Sequence, residues 1–323
     1  MKATHTLFSG LLLVLPVAVT VGIYIGLNVE QIFHKGFQGS YGIPSGSGPI
    51  MAKAGTYTYC QKSLGIEAEN KRYTYNPNQW GLAADEASAM CMNILEHITD
   101  MVVQITTSDK VAAASTMAAP WTATWNYTQG PSDSPVHAFP NAKLSINTLP
   151  IQLSSFTSLD LDVDWHYAVG NENKTVSTSA ELSTAGLNAN VCVDMFFGPN
   201  SALSGSTTNS TYEVMVWLGQ YGAATQPIGL SVGAIQSVSV NGTVFNLYYG
   251  VNGIQQKVFT WVAAQNTTRF VGDIGPLLNN LASAQGPQKN EYLGYVAFGS
   301  EALYAPKNMT FSVNELSMKL NSK

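Results

Sequence analysis

Charge is scarce in this chain. Only 11% of its 323 residues are Asp, Glu, Lys or Arg, and the formal net charge is −5. Gripping nucleic acid takes a basic patch or stripe, so that class of partner is excluded. Histidine is equally thin: His5, His34, His97, His137 and His166 show no metal-ligand spacing. A phosphate-cradling glycine loop is missing, and so is the strand–turn–helix elbow that presents a nucleophilic serine. No repeat of solenoid length is present. Nothing here implies a metal or a cofactor. There are three cysteines, Cys60, Cys91 and Cys192, which allow one disulfide and leave one thiol. Cys60 and Cys91 lie in polar, loop-like stretches and are paired here. Cys192 sits in the apolar run Val191-Cys-Val193 and reads as a buried small hydrophobe. No neighbouring histidine argues for a catalytic thiol.

What the chain does have is Val, Tyr and Phe mixed with abundant Ser, Thr, Asn and Gly. That mixture suits short strands joined by polar turns. Candidate strands are Arg72–Tyr75, Met101–Thr106, Trp121–Tyr127, Lys143–Asn147, Ser158–Val169, Asn190–Phe197, Tyr212–Leu218, Ala234–Val240, Thr243–Tyr249, Gln256–Trp261, Tyr292–Phe298 and Met309–Leu316. One helix is expected at Ile274–Ala284, and residues 82–98 are read as a second, shorter one. So many strands and so little helix predict an all-β fold, a jelly-roll sandwich of two antiparallel sheets.

The N-terminus differs in kind. After a short n-region (1–6), Leu7 to Leu27 is an uncharged, mostly apolar run of 21 residues. That length suits a membrane-spanning helix better than the apolar core of a signal peptide. Residues 7–27 are therefore read as a signal anchor, with a cleaved signal peptide as the alternative. A Gly/Ser/Pro-rich linker (28–56) leads to a single domain (57–323). Six Asn-x-Ser/Thr sequons, at Asn126, Asn173, Asn209, Asn241, Asn266 and Asn308, favour passage through a secretory lumen. The expectation is a monomer, extracellular or held at the cell surface.

Within the domain, Tyr212-Glu-Val-Met-Val-Trp-Leu218 organises the rest. Side chains alternate between the faces of a strand. Tyr212, Val214, Val216 and Leu218 then form a core stripe, and Glu213, Met215 and Trp217 face the other way. A carboxylate beside an indole suits a sugar ring, which has apolar faces and a polar rim. Cleaving a glycosidic bond takes a second carboxyl. Glu301 supplies one, at the end of Tyr292-Leu-Gly-Tyr-Val-Ala-Phe-Gly-Ser-Glu301. Leu293, Tyr295, Ala297, Gly299 and Glu301 share a parity, and the small residues Ala297 and Gly299 are expected to leave room for a ligand. Asp160-x-Asp162-x-Asp164 looks like a calcium loop. However, it alternates with Leu161, Val163 and Trp165 as a strand would and lacks a central glycine.

Together these segments resemble glycoside hydrolase family 12. Asn78-Gln-Trp80-Gly81 resembles the family's Asn-x-Trp-Gly turn. Val191-Cys-Val-Asp194-Met-Phe is similar to its Asp-bearing strand. Tyr212 to Gly222, followed by Pro227-Ile-Gly, is similar to the nucleophile strand, and Phe298-Gly-Ser-Glu301 to the acid/base motif. The pair Trp121 and Trp125 also fits, as does a Cys60–Cys91 bridge. The resemblance implies retaining endo-hydrolysis of β-1,4-glucan, of cellulose or xyloglucan type. Glu213 would be the nucleophile, Glu301 the acid/base with a raised pKa, and Asp194 a hydrogen-bonding partner of Glu213. Asn78, Trp80, Met215, Trp217 and Trp125 would face substrate. The chain departs from the family at Glu301-Ala-Leu303, where Glu-Pro-Phe is usual. It is also longer than a typical member, with the extra length assigned to loops at Ser63–Arg72, Gly170–Ala185 and Asn200–Asn209. A non-catalytic, lectin-like glucan binder or a cell-surface recognition protein is the competing reading.

Overall fold

The computed structural model describes residues 50–53, 56–67, 71–82, 88–95, 116–171 and 176–323. The expected anchor (7–27), the strand Met101–Thr106 and the sequon Asn173 lie outside the described residues. Among those described, no helix is long and apolar enough to cross a membrane.

Period-two alternation sorts the strands into two layers. In one sheet the spatial order is β1 (Ile50–Lys53), β2 (Thr56–Tyr59), β5 (Met90–Leu95), β6 (Trp121–Tyr127), β17 (Ala302–Ser322), β9 (Phe156–Val169) and β15 (Arg269–Asp273). The other runs β3 (Ile66–Glu67), β4 (Tyr73–Asn76), β7 (Asn141–Leu144), β16 (Tyr292–Gly299), β10 (Asn188–Gly198), β11 (Tyr212–Tyr221), β14 (Lys257–Ala263), β13 (Thr243–Val251) and β12 (Gln236–Val240). β8 (Ile151–Gln152) adds to the end of β16. The start of β17 pairs with β10, and the strand then continues into the first sheet.

The core lies between the sheets. Trp121, Trp125, Trp165, Trp261, Phe298 and Phe311 are fully buried there. Burying each such side chain is worth about 1.5–3 kcal/mol relative to exposure. From the second sheet, Val191, Val193, Met195 and Phe197 of β10 and Tyr212, Val214, Val216 and Leu218 of β11 point into this core. The intervening residues form a second apolar cluster on the sheet's outer face: Phe139, Cys192, Phe196, Met215, Trp217, Val258, Val262, Tyr295 and Ala297. The buried thiol of Cys192 belongs to this outer cluster.

Several expectations are corrected. The β11–β14 pair is parallel, so the sandwich is not wholly antiparallel. The described part of 82–98 is strand β5 rather than helix, because Met90, Met92 and Ile94 alternate into the core. Among the described residues there are three short α-helices, α1 (Ser179–Thr184), α2 (Ser201–Ser204) and α3 (Gly275–Asn280), and only α3 falls where a helix was expected. α1 carries a reciprocal capping box between Thr178 and Glu181. β1 falls within the expected linker, so paired structure begins by Ile50 rather than near Thr56. Cys60 and Cys91 do form a disulfide.

Candidate active site

The outer face of the second sheet collects the acids. β10 lies between β11 and β16, with Asp194 opposite Met215 on one side and Ala297 on the other. Glu213 stands opposite Phe196, on the same face as Asp194, Met215 and Trp217. Glu301 follows β16 and is anchored by Asn190, the buried residue four before Asp194. The Asn190 amide donates to the Glu301 carboxylate, and its carbonyl oxygen accepts from the Glu301 N–H at 3.0 Å.

Three carboxyl groups thus gather where protein excludes most water. Each glutamate is half-buried and keeps part of its surface open. Burial, and then the charge of Glu301, raise the Glu213 pKa to about 7, against a lowering bond from Asn252 Nδ2 at 3.3 Å. Burial raises Glu301 to about 7 as well, opposed by the Asn190 bond. Asp194 is pushed well above the carboxylate range by burial, Glu213 and Glu301. The expectation named Glu301 as the raised group, but all three rise. Like charges packed this closely cannot all ionise independently, so the cluster titrates as a unit. The Oδ1 of Asp194 is buried without a hydrogen-bond partner.

Sequence reasoning missed the supports. Asn252 donates to Glu213 and to Gln256 Oε1, and the Gln256 amide donates to Thr207 O, Ser210 O and Ser210 Oγ. The loop at Asn200–Asn209, one of those assigned the extra length, therefore buttresses Glu213 through Gln256. No local pattern marks these supports, because Asn190 and Asn252 lie 111 and 39 positions along the chain from the glutamates they hold, and only the fold brings them together.

The residues expected to face a sugar divide. Trp80 is 57% exposed. Its turn is fixed by Gln79, which bonds Gln61, Ser88 and Tyr127, and by Gly81, where an added Cβ would lie 2.0 Å from Val136 O. Asn78 adopts φ +44, a conformation Asn tolerates, and its carbonyl accepts from Phe139 N. Trp125 is a correction: only 1% exposed, it packs with Tyr127 and Tyr167 between the sheets and cannot meet substrate. Met215 and Trp217 share Glu213's face but are 7% and 3% exposed, with the indole N–H bonded to the Met215 sulfur. They form packed floor rather than an open stacking surface. Gly299 makes no room for ligand either. An added Cβ would meet Pro140 O at 2.3 Å, so its smallness admits β7. Leu293 also leaves the expected parity and faces the core, because the register shifts beside Gly294.

At the departure after Glu301, the Ala302 N–H donates to Ala138 O at 2.8 Å, a bond proline could not make. Elsewhere, Asp162 pairs with Arg269 and Asp160 accepts from Asn321 at 2.9 Å. Sequons Asn126, Asn209, Asn241 and Asn266 are exposed and Asn308 is half-buried. Two cavities lie off the carboxyl face, one of about 300 Å³ lined in part by Asp160, Asp273 and Lys319, the other of about 250 Å³ bordered by Leu303 and Tyr304. A polymer needs an open face to lie along, so neither replaces the carboxyl cluster as the candidate site.

A β-sandwich with paired glutamates and a buried aspartate on one sheet face has the make-up of a glycoside hydrolase. The model of Glycosyl hydrolase family 12 matches residues 71–321, and the chain belongs to that family. It is 30% identical over 253 residues to the probable xyloglucan-specific endo-beta-1,4-glucanase A of Aspergillus clavatus, covering 78% of this chain and 87% of that protein. It is 30% identical over 211 residues to xyloglucan-specific endo-beta-1,4-glucanase A of Emericella nidulans, covering 65% and 77%. Among solved structures, Trichoderma harzianum endoglucanase 3 from family GH12 superposes with a TM-score of 0.62 at 25% identity, covering 84% of this chain and 100% of that one.

Proposed function

We propose that the protein cleaves β-1,4-glucan internally with retention of anomeric configuration, acting outside the cell as a single chain. Xyloglucan is the first substrate to test, because the named relatives are xyloglucan-specific, and unbranched cellulose-type glucan is the second. The Glu213 carboxylate attacks the anomeric carbon while the Glu301 O–H protonates the departing glycosidic oxygen. Water then attacks the glycosyl-enzyme, and Glu301, now a carboxylate, takes its proton. Asp194 keeps a proton within the cluster, so that Glu213 rather than Asp194 carries the negative charge. Trp80 offers its exposed face to a sugar ring. An oxidising compartment agrees with the Cys60–Cys91 bridge.

One observation carries this reading: glutamates 88 positions apart join one coupled carboxyl cluster on one sheet face. A lectin would need the exposed Trp80 but no such cluster. The test is release of reducing ends from xyloglucan and carboxymethyl-cellulose by wild type and Glu301→Ala. Wild type should release them, and the variant should lose roughly 10²–10⁴-fold, the usual contribution of a general acid. An inactive wild type that still binds glucan would favour the lectin.

A further inference from the structure

The outer face changes character away from the acids. On β10, β11 and β14 it is mostly apolar, the carboxyls, Asn190 and Thr260 apart. On β4 and β7 it turns polar: Thr74 and Asn76, then Asn141, Lys143 and Ser145, while Tyr73, Tyr75, Ala142 and Leu144 point into the core. Lys143 sits in the middle of this stretch. It pairs with Ala297 of β16 on one side and Thr74 of β4 on the other.

Its ammonium is half-buried and lies 5.5 Å from the centre of the Tyr295 ring. Among the described residues no carboxylate lies within ion-pair distance of it. Burial lowers its pKa, as expected for a cation without an anionic partner. Lys143 thus presents three N–H donors beside an aromatic face, a combination that suits the hydroxyls of a sugar. The Trp80 turn follows directly from β4 and is bonded to Phe139, two residues before β7. An exposed indole and an unpaired ammonium therefore belong to the same end of the sheet.

We propose that Lys143 is a sugar-binding residue of a subsite remote from the cleaved bond, where it donates hydrogen bonds to the hydroxyls of a neutral glucan. The spacing supports a separate subsite. Lys143 lies two strands from Asp194 and three from Glu213, roughly 10 and 14 Å at ordinary strand separation. A ring reacting at Glu213 cannot also reach it, so only longer chains would. This inference rests on the glucanase reading above.

The test measures calorimetric affinity for a ladder of cello-oligosaccharides, using Glu213→Gln and Glu213→Gln/Lys143→Met so that substrate persists. The second change should weaken the longest oligosaccharides roughly tenfold to a hundredfold and leave the shortest unchanged, as expected for a lost charged hydrogen bond. Lys143→Arg should restore most of the affinity. In the active enzyme, Lys143→Met should raise KM on long chains with kcat and its pH profile unmoved, and thermal unfolding should show the fold intact. Equal affinity at every length would overturn the proposal. So would a loss equal at every length with a displaced pH profile, which would make Lys143 part of the carboxyl cluster's electrostatics. If wild type cleaves glucan while Lys143→Met matches it, only the subsite fails. If wild type neither cleaves nor binds, both readings fail.

Discussion

Asn190 commits every polar atom it has to residues 300 and 301. Its amide and carbonyl oxygen hold Glu301, its N–H donates to Glu301 O at 3.2 Å, and its own backbone carbonyl accepts from Ser300 Oγ. Because the side-chain bond lowers the Glu301 pKa, Asn190→Ala should raise it. The alkaline limb of the kcat/KM profile, where the acid loses its proton, should then move to higher pH. The lost orientation should also slow turnover about a hundredfold. An unmoved limb would remove Asn190 from the mechanism.

The same residues make stability depend on pH. Glu213 and Glu301 rise from 4.5 to about 7 on folding, so between those values the folded protein binds more protons than the unfolded chain. Their contribution to stability is therefore fully present below about pH 4 and is lost as pH rises through 7. Glu213→Gln/Glu301→Gln should be more stable than wild type at pH 8, on the order of 1–3 kcal/mol per site, with the gap closing towards pH 4. Denaturant melts at the two pH values would measure it. A gap that widened in acid would contradict the assigned shifts.

At the scale of the element, alternation in β11 was legible because one residue in two is apolar without interruption. β16 was not, because its register shifts beside Gly294 and local spacing cannot reveal a bulge. Tryptophans show the same divide. Trp80 and Trp125 both stand among polar neighbours in sequence, yet one turn exposes Trp80 and one strand buries Trp125. Trp80→Ala should weaken glucan binding and leave the melting temperature almost unchanged. Trp125→Ala should destabilise the fold by roughly 3–5 kcal/mol, as large-to-small core changes do. Similar thermal shifts for the two would contradict their placement.

For the whole molecule, the two-layer all-β plan followed from composition and turn spacing, and the disulfide from the setting of its cysteines. What stayed hidden was long-range assembly: the parallel β11–β14 pair, the Asn252–Gln256–Ser210 support and the polar end of the outer face. These join segments tens of residues apart, and no local pattern encodes them. The Cys60–Cys91 bridge spans 31 positions and ties the edge of the first sheet. Replacing both cysteines by serine should cost about 2–4 kcal/mol of stability. At a temperature where the variant is folded, kcat should not change.

The division of labour between residues 213 and 301 is tested most directly by trapping. A fluorosugar that forms but does not release the glycosyl-enzyme would be reacted with wild type, and the peptides mapped by mass spectrometry. The sugar should be found covalently on Glu213, with the products of ordinary turnover retaining their configuration. Attachment to Glu301, or inversion without any adduct, would contradict the account.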